Sequence, residues 1–148
     1  MKKAGIDSLM PATTFSLHPT LEADTLPVGD LGLSRVLLMN DARYPWLILV
    51  PRRPDLTELI DLPAAERHGL TDEIALCSAA LQRVVRPEKL NVAALGNLVA
   101  QLHVHIVGRF ASDAAWPNPV WARGAAEPYD AAVGRRRAAE IWAAVGLV

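Results

Sequence analysis

The chain is poor in cysteine and close to electrically neutral. Cys77 is the single cysteine among 148 residues, which excludes an internal disulfide framework and is typical of a reducing compartment. The formal net charge is −1 at pH 7, and the charged fraction is ordinary. Nothing in this balance indicates a nucleic-acid or a membrane surface, so we expect neither as a partner.

Long apolar runs are also missing. No run approaches the roughly 18 to 20 residues that a helix needs to cross a bilayer, and residues 1–7 lack the continuous apolar stretch of a signal peptide. The chain has neither internal repeats nor a low-complexity tract, and its length fits one domain over residues 1–148. We therefore expect a soluble, cytoplasmic, single-domain protein.

The order of apolar runs and turn residues predicts an α+β fold. Residues 33–39 and 46–50 are predicted strands of a hairpin, because the Asn, Asp and Pro residues between them favour a turn. A capping-box pattern at 55–58 predicts a short helix. A long helix is predicted from position 63 to about 86, where five apolar residues recur at intervals of four and three: Leu70, Ile74, Cys77, Leu81 and Val84.

The second half of the chain predicts two more strands, over residues 90–95 and 101–109, and a last helix over 131–145. We expect residues 1–14 to be a loose lead-in. Residues 111–148 are expected to form a C-terminal arm and helix, the arm being ordered but irregular. The predicted architecture is an antiparallel sheet whose apolar face is covered by the long helix.

The last predicted strand carries the residues with the most chemistry. Gln101, His103 and His105 alternate with apolar residues, and successive side chains of a strand point to opposite faces. We therefore expect Val104 and Ile106 to face the long helix and both histidines to face away from it. Two of the four histidines of the protein lie in this segment.

Two kinds of chemistry fit the histidine pair. One is a metal site, but zinc requires three or four protein ligands, and the other histidines, His18 and His68, have no informative spacing. The other is phosphorus chemistry, in which a neutral imidazole is the nucleophile and a second one binds the phosphoryl oxygens. That chemistry requires a free ring nitrogen in an open cleft.

Residues 96–109, of sequence GNLVAQLHVHIVGR, resemble the signature of the histidine triad (HIT) family. That signature has three histidines that alternate with apolar residues after a glycine. The resemblance extends back to the predicted hairpin and forward to Trp116-Pro117, so it covers about residues 15–121. Gln101 stands where the first triad histidine is expected, which resembles a branch with the pattern Gln-x-His-x-His. The resemblance implies a sheet of about five antiparallel strands, with a long helix on one face and a C-terminal helix.

The resemblance also implies roles for individual residues. His103 corresponds to the nucleophile that attacks the α-phosphorus of a nucleotide, and His105 to a ligand of the phosphate oxygens. Gln101 is expected to support the catalytic group, since an amide hydrogen-bonds like imidazole but does not transfer protons near pH 7. Asn97 corresponds to a residue that contacts the phosphate or the leaving group.

The sugar and the surroundings of the site are less defined. Either Asn40 or Asp41 is expected to bind the ribose hydroxyls. Trp116 is a candidate substrate-binding residue. For Trp116 and Trp121 alike, three roles are open: closure over the site, a dimer contact or ordinary packing. The resemblance implies a homodimer through the helix and the strand on the triad side, and it requires neither a metal nor a cofactor.

Three functions remain open from the sequence. The first is a hydrolase or transferase that acts on a dinucleoside polyphosphate or a nucleoside phosphoramidate through a nucleotidyl-histidine intermediate. The second is a non-catalytic nucleotide-binding protein, in which Gln101 and Leu98 are relics of lost chemistry, since many family members have Ser or Thr at the latter position. The third is a small metal-binding module that uses His103 and His105.

Overall fold

The computed structural model describes residues 14–148, so the predicted lead-in lies outside the described residues except for Thr14. Five strands form one antiparallel sheet: β1 (Thr25–Asp30), β2 (Ser34–Met39), β3 (Trp46–Pro51), β4 (Lys89–Ala93) and β5 (Val104–Arg109). Their spatial order is β1-β2-β3-β5-β4. Three α-helices accompany the sheet: α1 (Pro19–Asp24), α2 (Ala64–Val85) and α3 (Ala131–Val145). The predicted α+β class and the five-stranded antiparallel sheet are confirmed.

The hairpin and the two longer helices lie where the sequence predicts them. Helix α2 ends at Val85 and is capped by Arg86, which has a left-handed conformation (φ 50°), and Pro87 prevents its continuation. Asp130 begins α3 by accepting hydrogen bonds from the backbone amides of Ala132 and Val133. These helix boundaries follow from local chemistry that is visible in the sequence.

The strand boundaries differ from the prediction. Strand β5 begins at Val104 and not at residue 101, and β4 ends at Ala93 and not at residue 95. The physical reason is pairing, because the ladder between β4 and β5 stops at Ala93 opposite His105, and the ladder between β3 and β5 stops at Val104. Residues 101–103 therefore lie in the loop before the strand. At 59–61 a 3₁₀ helix is present in place of an α-helix.

Helix α1 and strand β1 were not predicted. Pro27 and Gly29 interrupt the strand pattern of β1, and the register with β2 shifts between these two residues. Pro27 is tolerated because β1 lies at one edge of the sheet, where only one side of the strand is paired.

Both faces of the sheet are covered. On one face, Ile106 packs with Cys77 and Leu81 of α2 and with Ile141 of α3. On the other face, the buried residues of the sheet pack against Leu21 of α1 and against the irregular arm that follows β5. The prediction that Val104 and Ile106 face the long helix is confirmed. Ile106 packs with α2 as just described, and Val104 packs with Leu70 of the same helix.

Candidate functional site

His103 and His105 lie on the sheet face opposite α2, and their rings are 4.8 Å apart between centroids. His105 is in β5, and His103 is in the loop just before the strand. The site is more enclosed than the open cleft expected from the sequence, because His103 is only 7% exposed and His105 only 5%. The cause is the arm and the N-terminal segment, which cover this face of the sheet.

The tautomer of His103 follows from its hydrogen bond. Its Nδ1 atom lies 2.6 Å from the backbone carbonyl oxygen of Gln101. Because a carbonyl oxygen only accepts, Nδ1 carries the proton and donates it. The neutral ring then has its lone pair on Nε2, which has no protein hydrogen-bond partner within residues 14–148. This is the protonation state that a nucleophilic imidazole requires.

His103 lines a pocket of about 230 Å³. The other lining residues belong to the segments 57–59 and 94–96 and to Leu102. We call this the histidine pocket. The Nε2 atoms of His103 and His105 have no hydrogen-bond partner in the described part of the chain, but neither atom is fully buried. Both nitrogens therefore reach solvent, although the rings are largely buried.

His105 has the opposite tautomer. The Nε1–H group of Trp46 donates to Nδ1 of His105 over 2.9 Å, so Nδ1 holds the lone pair. Burial, with a smaller contribution from neighbouring His103, lowers the pKa of His105 to about 3. His105 is therefore neutral at pH 7 and carries its proton on Nε2. It can donate a hydrogen bond from that atom without being charged.

A second pocket, of about 360 Å³, is lined by Trp46 and Trp121, both of which contact His105. Trp46 and Trp121 form one wall, and Asn40, Asp41 and Arg43 contribute polar groups. We call this the tryptophan pocket. The ring centroid of Trp121 lies 5.2 Å from that of His105 and 5.9 Å from that of Trp46, both in T-shaped contacts.

Both candidates for the ribose contact line the tryptophan pocket. Asn40 accepts a hydrogen bond from the backbone amide of Tyr129 through Oδ1. Asp41 is 2% exposed and accepts from the backbone and guanidinium of Arg43 and from the amide of Glu127. Burial acts to raise the pKa of Asp41, but these hydrogen bonds outweigh it and the pKa is lowered. The carboxylate is therefore ionised at neutral pH.

The side chain of Gln101 is directed away from both pockets. Its Oε1 atom accepts from the backbone amide of His18, and its Nε2 group donates to the carbonyl oxygen of Ser16, each over 2.8 Å. The amide thus attaches the N-terminal segment to the loop before β5. His18 begins α1, where its own Nδ1 accepts from the amide of Thr20.

Two candidate residues lie apart from the histidines. Asn97 is exposed and is not one of the residues that line either pocket, although its neighbour Gly96 lines the histidine pocket. Trp116 is 39% exposed and lies over the guanidinium of Arg109, 5.6 Å from the ring centroid. Trp121, not Trp116, is the arm residue that packs against His105. The sequence offered no signal that separates these two tryptophans.

Within residues 14–148, no group of three or more His, Cys, Asp or Glu side chains is arranged to hold a metal ion. None of the helices in the same range is long and apolar enough to span a membrane.

Comparison with known proteins identifies the family. The family model described as HIT domain matches residues 20–112. A histidine triad protein from Bradyrhizobium japonicum is 48% identical, with 89% of this chain and 98% of that chain covered and a TM-score of 0.87. For a histidine triad protein from Sinorhizobium meliloti the identity is also 48%, the coverage 88% and 96%, and the TM-score 0.85. A third, from Marinobacter aquaeolei, is 39% identical, with coverage of 90% and 98% and a TM-score of 0.87.

None of the curated proteins compared with the chain matches it. The family model covers well over half of the 148 residues and includes both histidines of the site. The protein therefore belongs to the histidine triad (HIT) family.

Proposed function

We propose that the protein is a nucleotide-binding enzyme that acts on the α-phosphorus of a nucleoside phosphate conjugate through a nucleotidyl group on His103. The observation that carries this proposal is the hydrogen bond from His103 Nδ1 to the carbonyl oxygen of Gln101. It leaves the lone pair on Nε2, which is the atom that must attack phosphorus. Family membership supports the same assignment.

The reaction has two steps. His103 Nε2 attacks the α-phosphorus, a P–N bond forms, and the bond to the leaving group breaks, so that the leaving group departs with the electron pair and takes up a proton. Water then attacks the same phosphorus, the P–N bond breaks, and a nucleoside monophosphate is released with one proton. In a transferase, another acceptor replaces this water.

His105 is the proposed ligand of the phosphoryl oxygens. Trp46 fixes its tautomer, so that Nε2 of the neutral ring carries a proton that it can share with an oxygen. The ring centroid of His105 lies 4.8 Å from that of His103, the proposed nucleophile. Donors that are held in place before the reaction stabilise the charge that develops on phosphoryl oxygens. Because His105 is already neutral at pH 7, it has no additional proton that it could lose to other groups of the site.

The tryptophan pocket is the proposed nucleoside site. Its volume of about 360 Å³ lies within the range of roughly 300 to 1,000 Å³ that is usual for small-molecule sites. Either the ionised carboxylate of Asp41 or the amide of Asn40 is the proposed ligand of the ribose hydroxyls, since both line this pocket.

Gln101 is proposed as a positioning residue of the Gln-x-His-x-His branch. Its carbonyl oxygen orients His103, and its side chain attaches residues 16–18 to the same loop. Asn97 remains a proposed phosphate or leaving-group contact on the strength of the resemblance and of neighbouring Gly96. Trp116 remains a weaker proposal, because its ring covers Arg109.

Replacement of the nucleophile tests the reaction. We expect His103→Ala to reduce the hydrolysis of an adenosine phosphoramidate and of a dinucleoside polyphosphate by more than about a thousandfold. His68→Ala, on the exposed side of α2, is the matched control and should retain wild-type rates. Mass spectrometry of quenched wild-type enzyme should detect a nucleotidyl adduct that the His103 variant lacks. Wild-type activity in His103→Ala would refute the assignment.

A non-catalytic nucleotide-binding protein is the second candidate. The observation that favours it is Leu98, which is fully exposed (100%) and has no polar group that could assist a leaving group. Binding of adenosine monophosphate in calorimetry, together with no adduct and no turnover of either substrate, would select this candidate over the first.

A homodimer is proposed from the resemblance, and a cytoplasmic location from the single cysteine. Support for the dimer comes from the free edge of β4, beside which an apolar groove of about 220 Å³ lies between α2 and the strand. Val92 in this strand is 49% exposed.

A further inference from the structure

Trp121 has a buried polar group without a partner. Its Nε1 atom is buried and has no hydrogen-bond acceptor among residues 14–148, although the Trp121 side chain is only partly buried and lines the tryptophan pocket. A buried indole N–H group usually finds an acceptor, as Trp46 does with His105. The exception requires an explanation, and an acceptor supplied by a ligand is one.

The position of the indole points to the same explanation. Trp121 lines the tryptophan pocket and contacts both His105 and Trp46 edge to face. Its ring therefore lies between the proposed nucleoside site and the histidine that is proposed to bind phosphoryl oxygens. An acceptor in this region belongs to the sugar or the phosphate of the nucleotide.

The backbone around Trp121 is held in a strained conformation. Ala122, the next residue, has a φ of 62°, which residues other than glycine seldom adopt. Arg43 donates to the carbonyl oxygen of Arg123, and Arg123 donates to that of Ala114, so the segment is fixed from both sides. Such strain persists only where the surroundings impose it, and it is concentrated at ligand sites.

We propose that Trp121 is a substrate-binding residue whose Nε1–H group donates a hydrogen bond to a phosphate or ribose oxygen of the bound nucleotide. This inference rests on the proposed function, because it requires that a nucleotide occupies the tryptophan pocket. It adds a donor from the arm to the site, beyond the histidines and the residues of the hairpin.

The test is nucleotide binding by Trp121→Phe, which keeps an aromatic ring but removes the donor. We expect the Kd for adenosine monophosphate, measured by calorimetry, to rise about tenfold, the effect of one lost hydrogen bond. Trp142→Phe is the matched control, since Trp142 lies on α3 against Gly29, and its Kd should stay within twofold of the wild type. An unchanged Kd in Trp121→Phe would overturn the inference.

Adenosine distinguishes the two acceptors. A loss of affinity for adenosine monophosphate alone identifies a phosphate oxygen, whereas an equal loss for adenosine identifies a ribose oxygen. Both outcomes support the inference.

A second measurement does not depend on how well the variant folds. In wild-type protein labelled with ¹⁵N-tryptophan, the indole resonance of Trp121 should shift when adenosine monophosphate is added, and that of Trp142 should not. Binding without a shift at Trp121 would overturn the inference and leave the proposed function intact. No binding of the nucleotide to wild-type protein would overturn both.

Discussion

At the scale of single residues, the site depends on the opposite tautomers of two neighbouring imidazoles. A carbonyl oxygen fixes the proton of His103 on Nδ1, and an indole N–H group fixes that of His105 on Nε2. One ring therefore presents a lone pair and the other a donor. The same pair with exchanged tautomers would direct the lone pair of the proposed nucleophile, His103, toward the backbone.

The low pKa of His105 predicts a specific pH dependence of stability. The folded-state pKa is about 3, whereas an unfolded histidine titrates near ~6.5. Below pH 6.5 the unfolded chain takes up a proton that the folded protein does not, so stability is lost as the pH falls toward 3. At pH 5 this contribution amounts to about 2 kcal/mol.

His105→Gln tests this expectation, because the glutamine oxygen can still accept from Trp46 but does not titrate. The decrease in the free energy of unfolding between pH 7 and pH 5, measured with urea, should be smaller than in the wild type by about 2 kcal/mol. His68→Gln, at an exposed position, serves as the control. An identical decrease in wild type and His105→Gln would contradict a neutral, buried His105.

At the scale of elements, the end of β5 holds the arm that covers the site. The guanidinium of Arg109 is buried and donates to Asp113, to Asn91 of β4 and to the carbonyl oxygen of Asn118. Asp113 in turn accepts from the backbone amides of Phe110, Ala115 and Trp116. These bonds fix the first turn of the arm, which leads to Trp121.

Loss of the buried ion pair should destabilise the fold. The pair between Arg109 and Asp113 has a length of 2.8 Å and side chains that are 2% and 4% exposed. We expect Asp113→Ala to lower the free energy of unfolding by about 3 to 5 kcal/mol, because it leaves a buried charge without its partner. Asp30→Ala removes the exposed pair with Arg35 (37% and 41% exposed) and should cost about 0 to 1 kcal/mol.

Chemical denaturation of the two variants at pH 7 is the measurement. Equal losses in both would contradict a special role for the buried pair.

The contribution of Asp113 to stability also depends on pH, with a defined sign. Burial acts to raise the pKa of Asp113, but the hydrogen bonds from Arg109 and the backbone amides lower it to about 2. Its contribution is therefore present above an unfolded pKa near ~3.9 and is lost as the pH falls to about 2.

At the scale of the whole molecule, the candidate site lies on only one of the two packed faces of the sheet. One face packs on α2 and α3, and the other carries the histidines beneath α1 and the arm. The edge strand β4 continues the first face into an exposed apolar groove, lined by Leu59, Leu70, Ile74 and Val92 among others. An exposed strand edge with apolar neighbours favours association with another copy of the chain.

The proposed homodimer can be tested at this edge. Light scattering should give twice the chain mass of 16.0 kDa for the wild type, and the chain mass itself for Val92→Lys, because a charge in an apolar interface lacks a partner. Val133→Lys, at an exposed position (43%) of α3, is the control and should remain a dimer. A monomeric wild type, or a dimer that Val92→Lys does not affect, would refute this interface.

The class of fold and the sheet face that carries the histidines follow from local sequence patterns. Apolar spacing of three and four defined α2, and the alternation from Val104 onward assigned Ile106 to the helix side and His105 to the other side, since both are local periodicities of the backbone. The motif also sufficed to identify the family.

The surroundings of the two imidazoles, in contrast, depend on contacts between residues far apart in the chain. Trp46 is 59 residues from His105, and Gln101 is 83 residues from His18 and 85 from Ser16. These contacts depend on strand register and on how the arm and the N-terminal segment fold over the sheet. No local propensity encodes such pairings, so the tautomers and the unpartnered indole N–H group of Trp121 became visible only when distant segments were brought together.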